Sequence, residues 1–293
     1  METFIEKAHT LTEALPYIRK FYGKTFVIKY GGAAMVEERL KNAFAQDVVL
    51  LNFIGIQPVI VHGGGPKISF YMEKMGKKPS FLHGQRVTDK DTMDIVEMVL
   101  GGLVNKDIVS LINSHGGAAI GLTGKDGGLL KARKKVTHHV SAETGVSEII
   151  DLGLVGEVNR VETRVISSIQ KEKFIPVIAP VGVGPDNSSL NINADFVAGS
   201  IAAALKAQKL ILLTDVNGIK DKEDNLVPSL NRKEIEQFIS EGVISGGMMP
   251  KVSACLNALE GGVSKAHIID GRITHAMLLE IFTQKGIGTE IFL

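Results

Sequence analysis

The sequence lacks several features that would indicate particular classes of protein. Its 293 residues include one cysteine, Cys255, which excludes an intrachain disulfide and fits a reducing compartment such as the cytoplasm. We interpret Cys255 as a small core residue of a predicted helix. Neither metal-type Cys and His spacings nor a signal peptide or bilayer-spanning apolar run is recognisable. The 33 basic residues nearly match the 32 acidic ones, so nucleic acid and anionic membranes are not expected as partners.

The sequence does contain a regular alternation of apolar strands and amphipathic helices. Strands over 26–30 and 58–61 are each followed by a helical pattern, which is typical of a parallel sheet covered by helices. We therefore predict an α/β fold, a three-layer αβα sandwich with a mainly parallel central sheet. Residues 129–160 differ, because their short β-branched runs between glycines predict antiparallel hairpins.

The chain is expected to divide into an N-terminal helix and two lobes. Apolar residues recur every three or four positions over 2–22, which predicts a helix that Pro16 would kink near Leu15. Its apolar face would pack on its own domain or dock on another subunit. Turn-forming residues at 181–186 indicate a boundary, so we expect lobes over 25–180 and 181–293, after a helical segment over 1–24.

Two of the predicted strands end in glycine-rich turns. These segments are Phe26–Gly32 and Pro58–Gly65, and their bare backbone N–H groups would approach an anion closely. Lys29 lies within the first apolar run, where a buried charge needs a partner. The pattern predicts an anion site of the phosphate type, with Lys29 pointing into it. His62 either packs in the core or holds its turn.

Polar residues near a predicted hairpin and at the start of a helix suggest a second binding region. Arg86 would grip a carboxylate or, alternatively, would be a solvated arginine on a hairpin. The segment Asn191–Asp195 opens a helix, and Asn193 is a suitable N-cap. Asn191 is then left to donate to a ligand, and Asp195 is able to hold cationic side chains.

A third strand and a later helix complete the predicted site. The strand Leu210–Thr214 continues into polar residues and Gly218, which suits a pocket for a nucleotide base and ribose. Lys251 lies in the first turn of a helix that follows Gly246 and Gly247. A cation there opposes the helix dipole unless an anion lies nearby, so its position supports a phosphate contact.

Taken together, these segments resemble the amino acid kinase family over nearly the whole chain. Gly84–Thr88 combined with Asn191–Asp195 points to the branch that uses ATP to phosphorylate the γ-carboxylate of N-acetyl-L-glutamate. The resemblance implies that the N-terminal lobe binds this substrate, that the C-terminal lobe binds ATP, and that Mg²⁺ arrives with the nucleotide. A carboxylate with a pKa of about 4.3 is already ionised, so no general base is expected. Positioning and positive charge would supply the catalysis.

The resemblance also assigns roles position by position. Two lysines would stabilise the transferring phosphoryl group and one aspartate would orient them, which makes the catalytic residues Lys29, Lys251 and Asp195. Substrate would contact Gly64, Gly65, Arg86, Asn191 and Asn193. ATP would contact Gly31, Gly32, Thr214, Asp215, Gly218 and Gly247. No residue is assigned as a metal ligand.

The N-terminal helix and the tail resemble the arginine-inhibited members of that branch. In these, N-terminal helices link dimers into a hexamer, so a homo-hexamer built as a trimer of dimers is expected. L-Arginine would bind among Tyr17, His267, Glu280 and Gly286. The alternative is that Glu280 is a surface charge and His267 packs beside a strand. Some relatives bind a PII signalling protein, and nothing in this sequence predicts that contact.

Other functions stay open at this point. One is a different kinase of the family, acting on aspartate or on carbamate. Another is a regulatory domain that binds a nucleotide without turnover. Two converging lysines favour catalysis over this last function, because binding alone rarely needs both.

Overall fold

An eight-stranded sheet forms the centre of the computed structural model, which describes residues 2–82, 84–140 and 147–293. In spatial order its strands are β14 (Ser229–Asn231), β16 (Thr289–Phe292), β15 (Lys265–Asp270), β13 (Lys209–Thr214), β1 (Thr25–Tyr30), β2 (Gln57–His62), β10 (Ile175–Ala179) and β5 (Ala119–Thr123). Neighbouring strands pair in parallel except β15 and β16, which are antiparallel. The predicted α/β fold with a mainly parallel sheet is confirmed.

Helices connect the strands and cover the sheet. They are α1 (Glu2–Phe21), α2 (Glu38–Phe53), α3 (Gly65–Lys74), α4 (Lys90–Glu97), α5 (Asn105–Ser114), α6 (Thr163–Lys171), α7 (Ala194–Leu205), α8 (Arg232–Ser240), α9 (Met248–Glu260) and α10 (Ala276–Ile281). A π-helical segment, Met98–Val104, joins α4 to α5. Residues 90–114 are therefore helical throughout, with a local change of helical type that is often found near functional sites.

Two hydrophobic cores lie on opposite faces of the central sheet. Because side chains alternate along a strand, Phe26 and Ile28 of β1 enter the core that also contains residues of α2, α5 and α10. Val27 enters the other core, together with residues of α7 and α9. Cys255 is buried in that second core, where burial raises the pKa of its thiol, so the interpretation of Cys255 as a core residue is confirmed.

Smaller sheets lie outside the central one. A four-stranded sheet has the order β12 (Ser189–Asn191), β11 (Val181–Val183), β6 (Leu130–Lys134) and β9 (Gly156–Val161). Two-stranded hairpins are formed by β3 (Phe81–Leu82) with β4 (Gln85–Arg86) and by β7 (Thr137–Val140) with β8 (Ser147–Ile150). The antiparallel pairing predicted for 129–160 is confirmed by β6 with β9 and by β7 with β8. The division into two lobes stays a prediction.

The predicted N-terminal helix is present, with Pro16 inside it. Its last turn packs on the domain, because the buried ring of Phe21 meets that of Phe26 edge-on at 5.1 Å. Earlier apolar residues stay on the surface, and Leu11 is 74% exposed. Packing on its own domain therefore covers only the end of α1. None of the helices in the described part of the chain is long and apolar enough to cross a membrane.

Candidate active site

Two lysines from distant parts of the chain meet at one carboxylate. Lys29 projects from β1, and its Nζ lies 3.0 Å from Oδ1 of Asp195 in the first turn of α7. Nζ of Lys251, in the first turns of α9, lies 3.5 Å from Oδ2 of the same residue. Both predicted catalytic lysines therefore contact the predicted catalytic aspartate, and we refer to the three residues as the cleft charge cluster.

In the cleft charge cluster the aspartate side chain is more deeply buried than the two lysine side chains. The Asp195 side chain is 6% exposed, against 12% for Lys29 and 19% for Lys251. Burial disfavours the ionised carboxyl group, but the two ammonium groups outweigh burial and hold the pKa of Asp195 below its usual range. Oδ1 has no well-directed hydrogen bond, so the Lys29 contact is an ion pair outside hydrogen-bonding angles.

Local sequence explains how the cluster is assembled. Asn193 accepts a hydrogen bond from the Asp195 N–H at 2.8 Å, which caps α7 as predicted. Helices α7 and α9 pack closely, since a Cβ added to Gly199 would come within 2.7 Å of the Ala254 carbonyl oxygen. This close approach brings the start of α9, and Lys251 with it, over Asp195.

Both predicted glycine turns border a central cavity of about 280 Å³ beside the cluster. This cavity is lined by Lys29, Gly31, Gly32, Gly63, Gly64, Gly65, Asn193 and Asp195, among others. Gly32 has φ +68°, a conformation that favours glycine. Gly64 is required by space instead, because a Cβ there would lie 2.6 Å from Leu100 of the π-helical segment. Backbone groups can therefore approach a ligand closely here.

A second cavity of about 210 Å³ adjoins the first and contains all five predicted substrate-binding residues. Its lining includes Gly64, Gly65, Arg86, Asn191 and Asn193. Asn191 is half-buried, and its Nδ2 donates to the Thr88 hydroxyl at 3.2 Å. Apolar side chains, among them Phe81 and Val155, complete the wall. The cavity thus combines one cation and three side-chain amides, those of Gln85, Asn191 and Asn193, with an apolar surface.

Arg86 is not the solvated residue that one interpretation of the sequence allowed. Arg86 is 7% exposed, and burial lowers the pKa of its guanidinium. The guanidinium donates to the Gly65 carbonyl at 3.0 Å and to the Ser69 hydroxyl at 2.9 Å, and it stacks on the ring of Phe81. Arg86 is therefore held in a fixed position at the wall of the second cavity.

A third cavity of about 750 Å³ lies beyond the end of β13. It is lined by Asp215, Gly218, Met248 and Arg272, among others. Thr214 is buried behind it and donates to Asp215 at 3.1 Å. Gly247 immediately precedes Met248 at the start of α9. The first and third cavities meet near Gly32, because a Cβ there would lie 3.8 Å from the Asp215 nitrogen.

The residues predicted to surround arginine form a separate group. Nδ1 of His267 bonds Oε1 of Glu280 at 2.7 Å, and both side chains are buried. Gly286 lies against the same carboxylate, because a Cβ there would fall 2.6 Å from its Oε2. Tyr17 lies nearby, packing edge-on against Phe282 with centroids 6.2 Å apart. The alternative interpretation, in which Glu280 is a surface charge, is therefore wrong.

The sequence analysis missed Lys209, which completes this buried group. Its Nζ lies 2.7 Å from Nε2 of His267, and burial lowers the pKa of Lys209 to about 8. The signal was present, because Lys209 opens an apolar strand just as Lys29 interrupts one. We refer to Lys209, His267 and Glu280 as the buried charge cluster.

Comparison with known proteins agrees with this site. The model of the amino acid kinase family matches residues 24–270. The chain is 57% identical to an acetylglutamate kinase of Sulfurihydrogenibium sp. (strain YO3AOP1), with all of both chains covered.

Two solved structures have similar folds. An N-acetylglutamate synthase from Neisseria gonorrhoeae, complexed with coenzyme A and N-acetyl-glutamate, is 25% identical with a TM-score of 0.83. The match covers 98% of this chain and 63% of that one, so this chain spans less than two thirds of the synthase. A carbamate kinase from Giardia lamblia bound to AMP-PNP is 16% identical with a TM-score of 0.64, covering 92% and 98% of the two chains. This last likeness supports the fold alone.

Proposed function

The chain belongs to the amino acid kinase family, and we propose that it is an acetylglutamate kinase, which transfers the γ-phosphoryl group of ATP to the γ-carboxylate of N-acetyl-L-glutamate. The product would be the acyl phosphate N-acetyl-L-glutamyl 5-phosphate, an intermediate of L-arginine biosynthesis. The observation that carries the proposal is the cleft charge cluster, two of whose members line the first cavity.

The proposed reaction needs charge and position rather than proton transfer. A carboxylate oxygen attacks the γ-phosphorus while the bond to the leaving oxygen of ADP breaks, and no proton moves. Two anions must meet, so Lys29 and Lys251 would neutralise charge on the transferring group. Gly32 and Gly64 would donate backbone N–H groups to it, and Asp195 would hold both ammonium groups in place.

The ligands have chemically suitable places. The second cavity offers Arg86 for the α-carboxylate of the substrate and Asn191 for its acetamido group, with Gly65 and Asn193 beside them. The third cavity, with Asp215 and Gly218 in its lining, would hold the adenosine. The ammonium groups and glycine turns fit the phosphate chain, and Mg²⁺ carried by ATP would neutralise part of its charge.

An ADP-release assay tests this function directly. We expect turnover with N-acetyl-L-glutamate and none above background with aspartate or carbamate at equal concentration. Turnover with aspartate or carbamate alone would assign the chain to another branch of the family. ATP binding without turnover of any of the three would instead support a regulatory, non-catalytic role.

We also propose that L-arginine inhibits the enzyme by binding at the buried charge cluster, with Tyr17 and Gly286 beside it. A guanidinium would compete for Glu280, whose carboxylate now bonds His267 and the Ile287 N–H. Adding millimolar arginine to the same assay should reduce turnover. Turnover that arginine leaves unchanged would keep the kinase assignment and reject the regulatory one.

The exposed part of α1 supports a further proposal about assembly. Leu11 and Leu15 would pack against another subunit, so that dimers join as a hexamer in the cytoplasm. Replacing Leu11 by Asp should reduce the mass measured by sedimentation to about one third, that of a dimer, while the exposed-site control Glu13→Gln should not change it. A wild-type monomer in solution would contradict the proposal.

We also propose that the chain divides into two lobes between residues 180 and 181. The two lobes would appear as two regions with separate hydrogen-exchange behaviour.

A further inference from the structure

His62 has no part in the proposed chemistry, yet it is fully buried directly beside the second glycine turn. It ends β2, and the next three residues are glycines of that turn. Nδ1 of its ring lies 2.8 Å from the carbonyl oxygen of Gly63. A polar ring placed in a hydrophobic core needs such partners, because burying a polar group without one is costly.

The partners of the ring determine which nitrogen carries the proton. A carbonyl oxygen can only accept, so Nδ1 must donate its N–H to Gly63. Nε2 is then the acceptor, and it lies 3.1 Å from Nδ2 of Asn105, which donates to it. Burial lowers the pKa of His62 to about 4, so the ring stays neutral at physiological pH. The contacts therefore require the Nδ1–H tautomer.

Asn105 is itself held on several sides. Its Nδ2 also donates to the carbonyl of Val177 in β10 at 2.9 Å, and its Oδ1 accepts from Lys106 at 3.2 Å. Space for it comes from Gly121, where a Cβ would lie only 1.9 Å from Oδ1. An amide fixed between two strands and the end of the π-helical segment cannot easily rotate. Its orientation is therefore transmitted to the ring of His62.

The bond to Gly63 has a consequence for the next residue. In a planar trans peptide the C=O and the following N–H point in opposite directions. The Gly63 N–H is already engaged by the Tyr30 carbonyl at 2.8 Å. With the Gly63 carbonyl drawn towards the buried ring, the Gly64 N–H must point away from the core. Gly64 lines both the first and the second cavity.

We infer that His62 is a positioning residue, whose Nδ1–H tautomer, held by Asn105, aims the Gly64 N–H at the anion that reacts in the cleft. The inference deepens the proposed function and depends on it for the identity of that anion. Without the Nδ1–H bond the Gly63–Gly64 peptide is free to turn, and the donor is lost at the moment when charge develops.

Two substitutions separate this role from simple packing. In His62→Asn the amide nitrogen occupies nearly the position of Nδ1 and can still donate to Gly63. In His62→Gln the amide reaches the position of Nε2, so the contact with Asn105 is retained and the donation is lost. We expect His62→Gln to lower kcat by about tenfold to a hundredfold. The KM for ATP should stay within about twofold, and His62→Asn should recover kcat to within about threefold of the wild type.

Equal losses of kcat in the two variants, or a full kcat in His62→Gln, would overturn the inference. Melting temperatures are recorded for both, because a packing role predicts that activity follows stability rather than the donor. ¹⁵N NMR of histidine-labelled wild-type protein provides a measurement that needs neither variant nor substrate. It should show His62 protonated at Nδ1 and bare at Nε2, and the opposite tautomer would reject the inference. Wild-type protein that fails to turn over N-acetyl-L-glutamate would refute the proposed function and leave the tautomer result intact.

Discussion

The cleft charge cluster and the buried charge cluster are built from similar parts but are completed differently. Each places a carboxylate among cationic or imidazole nitrogens. In the cleft, Asp195 meets only two ammonium groups, which remain partly exposed. In the buried cluster, Glu280 accepts from His267 and from the backbone N–H groups of Ile287 and Gly288.

The difference shows that similar groups of charged residues can have different capacities to bind a ligand, depending on how many of their hydrogen bonds are already formed. The cleft lysines have one fixed partner and several free N–H directions, so they can take up a phosphate without breaking a bond. Glu280 already accepts three hydrogen bonds, so a ligand there competes with partners that are already bound. The first arrangement suits catalysis, and the second suits a switch between two bonded states.

The severest disruption of the cleft cluster should come from Lys29→Ala. The variant removes a charge that would stabilise the transferring group, so kcat should fall on the order of 10²-fold or more. Lys24→Ala is the matched control, because Lys24 is an exposed lysine just before the same strand. Steady-state ADP release under saturating substrates is the measurement, and full activity in Lys29→Ala would refute the role of this lysine.

Asp195→Asn tests the other half of the cleft charge cluster. It should lower kcat by less, about tenfold, because Asp195 acts through the lysines.

Asp195→Asn should also change the stability of the folded protein in acid. The low pKa of Asp195 means that the folded state binds fewer protons than the unfolded state as the pH falls below about 4. Its contribution is therefore present above that pH and is lost as the pH falls through the folded pKa. Urea unfolding of both proteins between pH 7 and 3 should show their stability difference shrinking, and a constant difference would contradict the ion pairs.

Glu280→Gln sharpens the comparison from the side of the buried cluster. The substitution removes the charge that a guanidinium would seek, so the arginine concentration for half-inhibition should rise by about tenfold. Turnover without arginine should change by less than about twofold, since Glu280 lies outside the cleft. Glu260→Gln is the control, because Glu260 pairs with Arg232, outside the buried cluster. Unchanged inhibition in Glu280→Gln would place the arginine site elsewhere.

At Lys209 the expected effect is on stability alone, as a change with pH. Its folded pKa of about 8 lies below the unfolded value of about 10.4, so the folded state binds fewer protons between these limits. Stability of the wild type relative to Lys209→Met should therefore rise as the pH increases from 8 to 10.4, by at most about 3 kcal/mol. Thermal unfolding across that range measures it, with Lys233→Met on α8 as an exposed control. A stability difference between the two proteins that does not change with pH would show that folding does not lower the pKa of Lys209.

Local patterns in the sequence were enough to locate the cleft. The two glycine turns and Lys29 could be predicted because each depends on residues within one strand and its turn. The N-cap role of Asn193 is equally local, and the structure confirms it. The parallel sheet then brings the ends of its strands to a common edge, which made the meeting of these segments predictable.

Other residues were beyond such reasoning because their partners come from far along the chain. His62 could be interpreted only as packing or holding its turn, and the second is now supported by its bond to Gly63. Its other partner, Asn105, is 43 residues away and has no motif of its own. For Lys209 the local signal was a lysine that opens an apolar strand, but its partner His267 is 58 residues away on the neighbouring strand. Sequence periodicity shows which face of an element is buried, but it does not identify the polar group of another element that contacts this face.

The place of β1 in the central sheet sets a length scale for the reaction. β13 on one side leads to the third cavity, proposed to hold the nucleotide, and β2 on the other leads to the glycine turn that borders the second cavity, proposed to hold the substrate. Backbone hydrogen bonding holds adjacent strands about 4.8 Å apart, so donor and acceptor are kept within two strand widths of each other. This spacing is set by main-chain hydrogen bonds and does not depend on the identity of the side chains. A new acceptor could arise by exchanging side chains around Arg86, while the span across which phosphorus travels would remain the same.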